Sequence, residues 1–122
     1  MRGISFRGLT ESGEWHKGLV AESAGFPGQV KAGVYISNMS GYPYAFKVRL
    51  ETLGEYTGLK DKNGIKIYEG DIFKSNKNMF EIIYKDGCFC AKQTNCNYDG
   101  LVVEFMPLEV IGNVWEVNNA KN

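Results

Sequence analysis

The sequence predicts a mainly β protein, with a β layer in its first half and a small antiparallel barrel in its second. Two observations carry this. Tyr and Phe number seven each, fifteen of the 122 residues are glycine, and few stretches have helical periodicity. The segment from Tyr56 to Asp71 also places Gly58, Gly64 and Gly70, with an Asn63-Gly64 pair, among alternating apolar residues. Asn-Gly in that setting is a strong hairpin signal, because both central residues of a two-residue turn need positive φ.

The elements follow in order. Over residues 2–7, Ile4 and Phe6 alternate with polar neighbours, the pattern of a strand. Glu11-Ser12-Gly13 is a turn, and Trp15 to Val20 is the returning strand. Glu22 to Lys31 contains Gly25-Phe26-Pro27-Gly28, too rich in turn formers for regular structure. Val34-Tyr35-Ile36 is a short strand, and Ser37 to Tyr44 a polar, Tyr-rich loop around Gly41 and Pro43. Phe46, Val48 and Leu50 then alternate with Ala45, Lys47 and Arg49 as a half-buried strand.

After the Asn63-Gly64 turn, Ile65 and Ile67 lead through Tyr68 to Glu69-Gly70-Asp71, and Ile72-Phe73 begin a strand. Phe80 and Ile82 alternate towards Tyr84, Lys85-Asp86-Gly87 turns, and Cys88 to Ala91 returns. Thr94 to Gly100 reads as a polar loop, followed by strands at Leu101 to Phe105 and Val110 to Trp115 around a turn at Pro107. Five short strands in about sixty residues, with a turn signal between each pair, describe a strongly bent barrel of SH3-like type. The expected organisation is a single domain. An N-terminal β layer over residues 1–50 packs on a barrel over residues 56–117, and a polar tail, 118–122, frays.

Fourteen basic and fourteen acidic residues leave no formal net charge, which lowers the expectation of nucleic-acid binding by bulk electrostatics. No apolar run reaches the eighteen or so residues of a membrane span. The N-terminus, Met1 to Arg7, has charges where a signal peptide needs its apolar stretch, so a cytoplasmic protein is expected. Cys88, Cys90 and Cys96 are an odd count, as for free thiols in a reducing compartment.

Each candidate chemistry has a more ordinary competitor. Gly58, Gly64 and Gly70 sit among strands and match no phosphate loop, which needs glycines at a helix N-terminus, so they read as turn residues. Glu69 and Asp71 are two apart and could share one strand face as the acid/base pair of a hydrolase. The competing reading is that Asp71 pins its turn by accepting backbone N–H groups. Cys88, Cys90, Cys96 and the single histidine, His16, lack the paired C-x-x-C knuckles of structural zinc, and the cysteines read as apolar filling. No metal and no cofactor are expected. Tyr35, Tyr42, Tyr44 and Phe46 form an aromatic group that suits either partner recognition or core closure. Lys60, Lys62, Lys66, Lys74 and Lys77 are interspersed with acids, as on a solvated face.

Phe6-Arg7-Gly8, Trp15, Glu51-Thr52, Tyr56-Thr57-Gly58-Leu59-Lys60-Asp61, Gly64, Ile67-Tyr68-Glu69-Gly70-Asp71 and Ile111-Gly112-Asn113 form an ordered set of motifs. That set resembles the YopX family of small bacteriophage and prophage proteins. Residues 21–45 fall outside that set and read as the variable part, and Leu50 stands where the pattern has proline. The resemblance implies an SH3-like barrel, a bacterial host cytoplasm as the setting, and no assigned catalytic residues. The expected function is non-enzymatic binding of a phage or host macromolecule, a protein in preference to nucleic acid. Tyr35, Tyr42 and Tyr44 are the candidate partner-binding residues. A homo-oligomer is also expected, because small β proteins pair off exposed edges. The alternatives are a single-stranded nucleic-acid binder that stacks bases on the tyrosines, and a hydrolase using Glu69 and Asp71.

Overall fold

The computed structural model describes residues 4–28, 30–38, 45–94, 96 and 98–116. Tyr42, Tyr44, most of the Tyr-rich loop and the 118–122 tail lie outside the described residues. The chain divides into two compact units, Met1–Tyr56 and Thr57–Asn122, and both are antiparallel β structure.

The first unit contains β1 (Phe6–Leu9), β2 (Trp15–Ser23), β3 (Gly33–Asn38), β4 (Ala45–Val48) and the start of β5 (Gly54–Lys60), in the order β4-β3-β2-β1-β5. β1 starts later than the alternation suggests because its hairpin sets the register, pairing Leu9 with Trp15 and Phe6 with Gly18. Thr10 ties off that hairpin. Its N–H donates to the Glu14 carbonyl at 2.9 Å, and its Oγ1 accepts the Glu14 N–H at 3.0 Å.

Val34, Ile36 and Val48 are the buried core of this unit, with Phe6, Val20 and Leu53 packed around them. Each such aliphatic side chain contributes about 1.5–3 kcal/mol on full burial. The sheet curls far enough for β4 to return to β1. The Arg49 N–H donates to the Leu9 carbonyl at 2.8 Å, and the Leu9 N–H donates to Thr52 Oγ1 at 2.9 Å. Gly8 permits this approach, since a Cβ there would lie 2.9 Å from Val48 Cβ and Cγ2. The strand expected to reach Leu50 instead ends at Val48, and a 3-10 turn follows over Leu50–Thr52.

The second unit takes the remainder of β5, then β6 (Lys66–Tyr68), β7 (Asp71–Ser75), β8 (Asn78–Lys85), β9 (Cys88–Gln93), β10 (Asp99–Leu101), a 3-10 turn over Val102–Phe105, and β11 (Val110–Asn113). Five of these strands form a sheet ordered β10-β9-β8-β7-β11. β10 and β11 are its two edges, so the ladder stays open where a closed barrel was expected. Its core holds Ile67, Phe73, Phe80, Ile82, Ala91, Val102 and Leu108. Phe73 stacks on Phe80 at 5.3 Å between ring centroids, and Phe105 meets the two rings at 5.5 and 4.8 Å.

Two of three turns differ from the sequence expectation, and the one at Asp86-Gly87 matches it. The Asn63-Gly64 connection is a three-residue loop, with Asp61 N–H donating to the Ile65 carbonyl at 2.7 Å and only Gly64, at φ +82°, in the left-handed region. The two-residue turn with positive φ at both positions is Asn76-Lys77, at 51° and 72°, where Ser75 pairs with Asn78. Asp86-Gly87 forms another such turn, at 52° and 85°, between Lys85 and Cys88. The stretch expected as a strand from Leu101 to Phe105 is mostly the 3-10 turn, and β10 lies in the segment read as loop. The last strand stops at Asn113, whose Oδ1 accepts the Trp115 and Glu116 N–H groups at 3.0 Å and caps a short helical turn over residues 114–116.

Candidate interaction surface

Among its described residues, the turn-rich segment between β2 and β3 holds one paired element. Phe26 and Val30 form an isolated β-bridge, with Phe26 N–H donating to Val30 O at 2.7 Å and Val30 N–H returning to Phe26 O at 3.0 Å. Pro27-Gly28 makes the turn between them, and Ser23 Oγ accepts the Gly25 N–H at 3.1 Å at its approach. The bridge holds the backbone, yet Phe26 remains 61% exposed and Val30 44%. A cleft of about 730 Å³ runs along this loop. A second, of about 660 Å³, shares Ala24 and Ala32 with it and reaches Glu22, Lys47, Val48 and Arg49.

The charges beside this second cleft are mixed. Arg49 Nη2 lies 3.2 Å from Glu51 Oε2. The Glu51 backbone N–H first, and the Arg49 guanidinium second, hold the Glu51 carboxyl below the ordinary carboxylate range. Lys47 is exposed on β4.

The structure places the sequence-suggested residues as follows. Tyr35 is half-buried and its hydroxyl donates to the Lys31 carbonyl at 2.8 Å, so it braces the end of the Phe26–Val30 loop. Phe46 stacks on His16 with ring centroids 3.7 Å apart and planes 6° apart. Arg7 is 8% exposed, with its guanidinium carbon 5.2 Å from the Trp15 ring centroid.

Asp71 is 2% exposed, and its Oδ2 accepts the Tyr68 N–H at 2.7 Å across the Glu69-Gly70 turn. Glu81, passed over in the sequence, is the carboxyl that responds to Glu69. Burial pushes Glu81 up, Lys92 pulls it down, and Glu69 pushes it up again, for a net rise. Asp61 was read only as part of a motif, but it is 6% exposed and accepts three backbone N–H groups: Asn63 and Ile65 on Oδ1, Val110 on Oδ2. No local signal marks the last of these, because Val110 is 49 residues away.

Cys88 is half-buried, Cys90 buried and Cys96 exposed, all as free thiols. Burial, followed by the neighbouring Cys88 thiol, pushes Cys90 up. Among the described residues no group of three or more His, Cys, Asp or Glu is placed to hold a metal, and no helix is long and apolar enough to cross a membrane.

These features define a small all-β protein of two antiparallel units that presents apolar side chains on an ordered loop. The chain belongs to the YopX family, whose model, described as YopX protein, matches residues 22–119. The match includes residues 22–45, the stretch expected to vary, and begins after Arg7-Gly8 and Trp15. No curated protein matches the chain. It is similar in fold to a solved structure, the crystal structure of protein EF1440 from Enterococcus faecalis, with TM-score 0.55 and 23% identity over 100% of both chains.

Proposed function

We propose that this protein is a non-enzymatic binding module, a phage or prophage accessory protein of the bacterial cytoplasm, whose partner is another protein docking on the 24–32 loop. The observation that carries this is the pairing of order with exposure. Two backbone hydrogen bonds fix the positions of Phe26 and Val30, and both residues stay exposed. Contiguous exposed apolar groups on a held loop mark interaction sites, because binding residues sit disproportionately on loops set by a rigid scaffold. A protein is preferred to nucleic acid because the adjoining cleft mixes Glu11, Glu22 and Glu51 with Lys47 and Arg49, which is no basic track for phosphates. The non-enzymatic reading is supported by Asp71, whose carboxylate is engaged by the Tyr68 N–H inside the fold. The second unit is read as an open SH3-like sheet, since β7, β8 and β9 form a meander and β11 returns to β7 after a 3-10 turn.

The test is affinity capture of the tagged protein from infected or induced host cells, beside a Phe26→Ser, Val30→Ser variant. The variant should melt like the wild type and lose the captured protein. Capture of the same protein by both forms, or of nucleic acid alone by either, would overturn the proposal.

A further inference from the structure

Cys88 and Cys90 project from one face of β9, because strand residues two apart share a face. Their Sγ atoms are 3.7 Å apart. A disulfide needs about 2.05 Å between sulfurs. The strand opposes that closure, since two residues of extended chain hold the Cα atoms roughly 6.6 Å apart, at the far edge of the disulfide range. A single soft ion asks for the opposite movement. Two thiolates in line on one ion, with metal–sulfur bonds of about 2.3 Å, stand about 4.6 Å apart, so the sulfurs part by about 1 Å through side-chain rotation while the strand stays as it is.

The number of ligands decides which ion. Structural zinc takes four, and among the described residues no third His, Cys, Asp or Glu joins the two sulfurs. Thiolates favour soft ions, and among those Cu(I) is satisfied by two of them. We infer that Cys88 and Cys90 form a two-thiolate site for Cu(I). Each sulfur exchanges its proton for a bond to the ion, so one Cu(I) enters, two protons leave, and copper keeps its oxidation state. The product carries one net negative charge. Lys85 and Asp99 act on Cys90 in opposite senses and are paired with each other, Nζ lying 2.8 Å from Oδ2. Access is from Cys88, which lines a cleft of about 270 Å³ with Phe89, Leu101 and Val103.

The test is anaerobic titration of the reduced full-length chain with Cu(I) in competition with bicinchoninate, followed by maleimide labelling read by mass spectrometry. One copper per chain should bind and protect Cys88, while Cys96 still labels. Cys96→Ser should bind as the wild type does. Cys88→Ser, with its fold checked by circular dichroism, should lose at least tenfold in affinity. Absence of uptake against the chelator, undiminished uptake by Cys88→Ser, or uptake lost with Cys96→Ser would each overturn the assignment.

Discussion

Asp61 reaches Val110 across 49 residues, its Oδ2 accepting the Val110 N–H at 3.0 Å at the start of β11. The same carboxylate holds its own loop through Asn63 and Ile65, at 2.8 and 2.9 Å. One side chain therefore fixes the β5–β6 loop and the position of an edge strand in the second unit. Burial pushes Asp61 up, but the N–H groups of Val110, Ile65 and Asn63, with the charge of Lys62, outweigh it and hold the carboxyl below its ordinary value.

The first prediction follows from that sign. A carboxyl with a depressed folded pKa contributes stability that is full above the unfolded value, about 3.9 for Asp, and is lost as pH falls through the folded value. Denaturant midpoints of the wild type should drop across that acid window. Asp61→Asn should be less stable at neutral pH, with a shallower acid drop. Parallel curves for the two proteins would sink the idea.

Glu81 should behave oppositely. Its folded pKa is raised, chiefly by burial, so ionisation opposes folding as pH rises past the unfolded value and fully so above the folded one. Glu81→Gln should stabilise the protein at pH 7 and leave it unchanged near pH 3. Equal effects at both values would show that packing, and not charge, governs the site.

Gly8 should resist any side chain. Alanine there meets Val48 Cβ and Cγ2 at 2.9 Å, so Gly8→Ala should cost about 1–3 kcal/mol as overpacking. Combined with Val48→Ala, which removes two of the opposing methyl groups, the cost should shrink by at least about 0.5 kcal/mol in a double-mutant cycle. Additive single effects would disprove direct contact.

The turns make a paired prediction. Gly64 has φ +82° and open space around its missing Cβ, so Gly64→Ala should destabilise by roughly 1 kcal/mol through backbone conformation alone. Lys77→Gly, at φ 72°, should stabilise or be neutral. Asn63→Gly should destabilise slightly, since Asn63 is outside the left-handed region. Thermal melts of the three variants distinguish these outcomes.

The sequence by itself determined what local chemistry dictates. Alternation marked the core faces of Phe46 with Val48 and of Phe80 with Ile82, because residues two apart in a strand share a side. Asp86-Gly87 and the Gly13 turn were legible because those residues favour the backbone conformation a turn requires. The motif order from Glu51-Thr52 to Ile111-Gly112-Asn113 carried the family, and the Gly- and Pro-rich composition carried the irregular segment before β3.

Tertiary structure alone decided what depends on distant partners. The open ladder follows from β11 pairing with β7 at one edge while β10 occupies the other. Asn76-Lys77, without a glycine, became a tight turn because β7 and β8 pair in a register that leaves two residues between them. Asp61 became a tie because β11 brings the Val110 N–H to it. The exposure of Phe26 and Val30 was likewise invisible in the sequence. Periodicity cannot say whether an apolar residue in a turn-rich segment is buried; here a two-bond bridge turns both side chains outward.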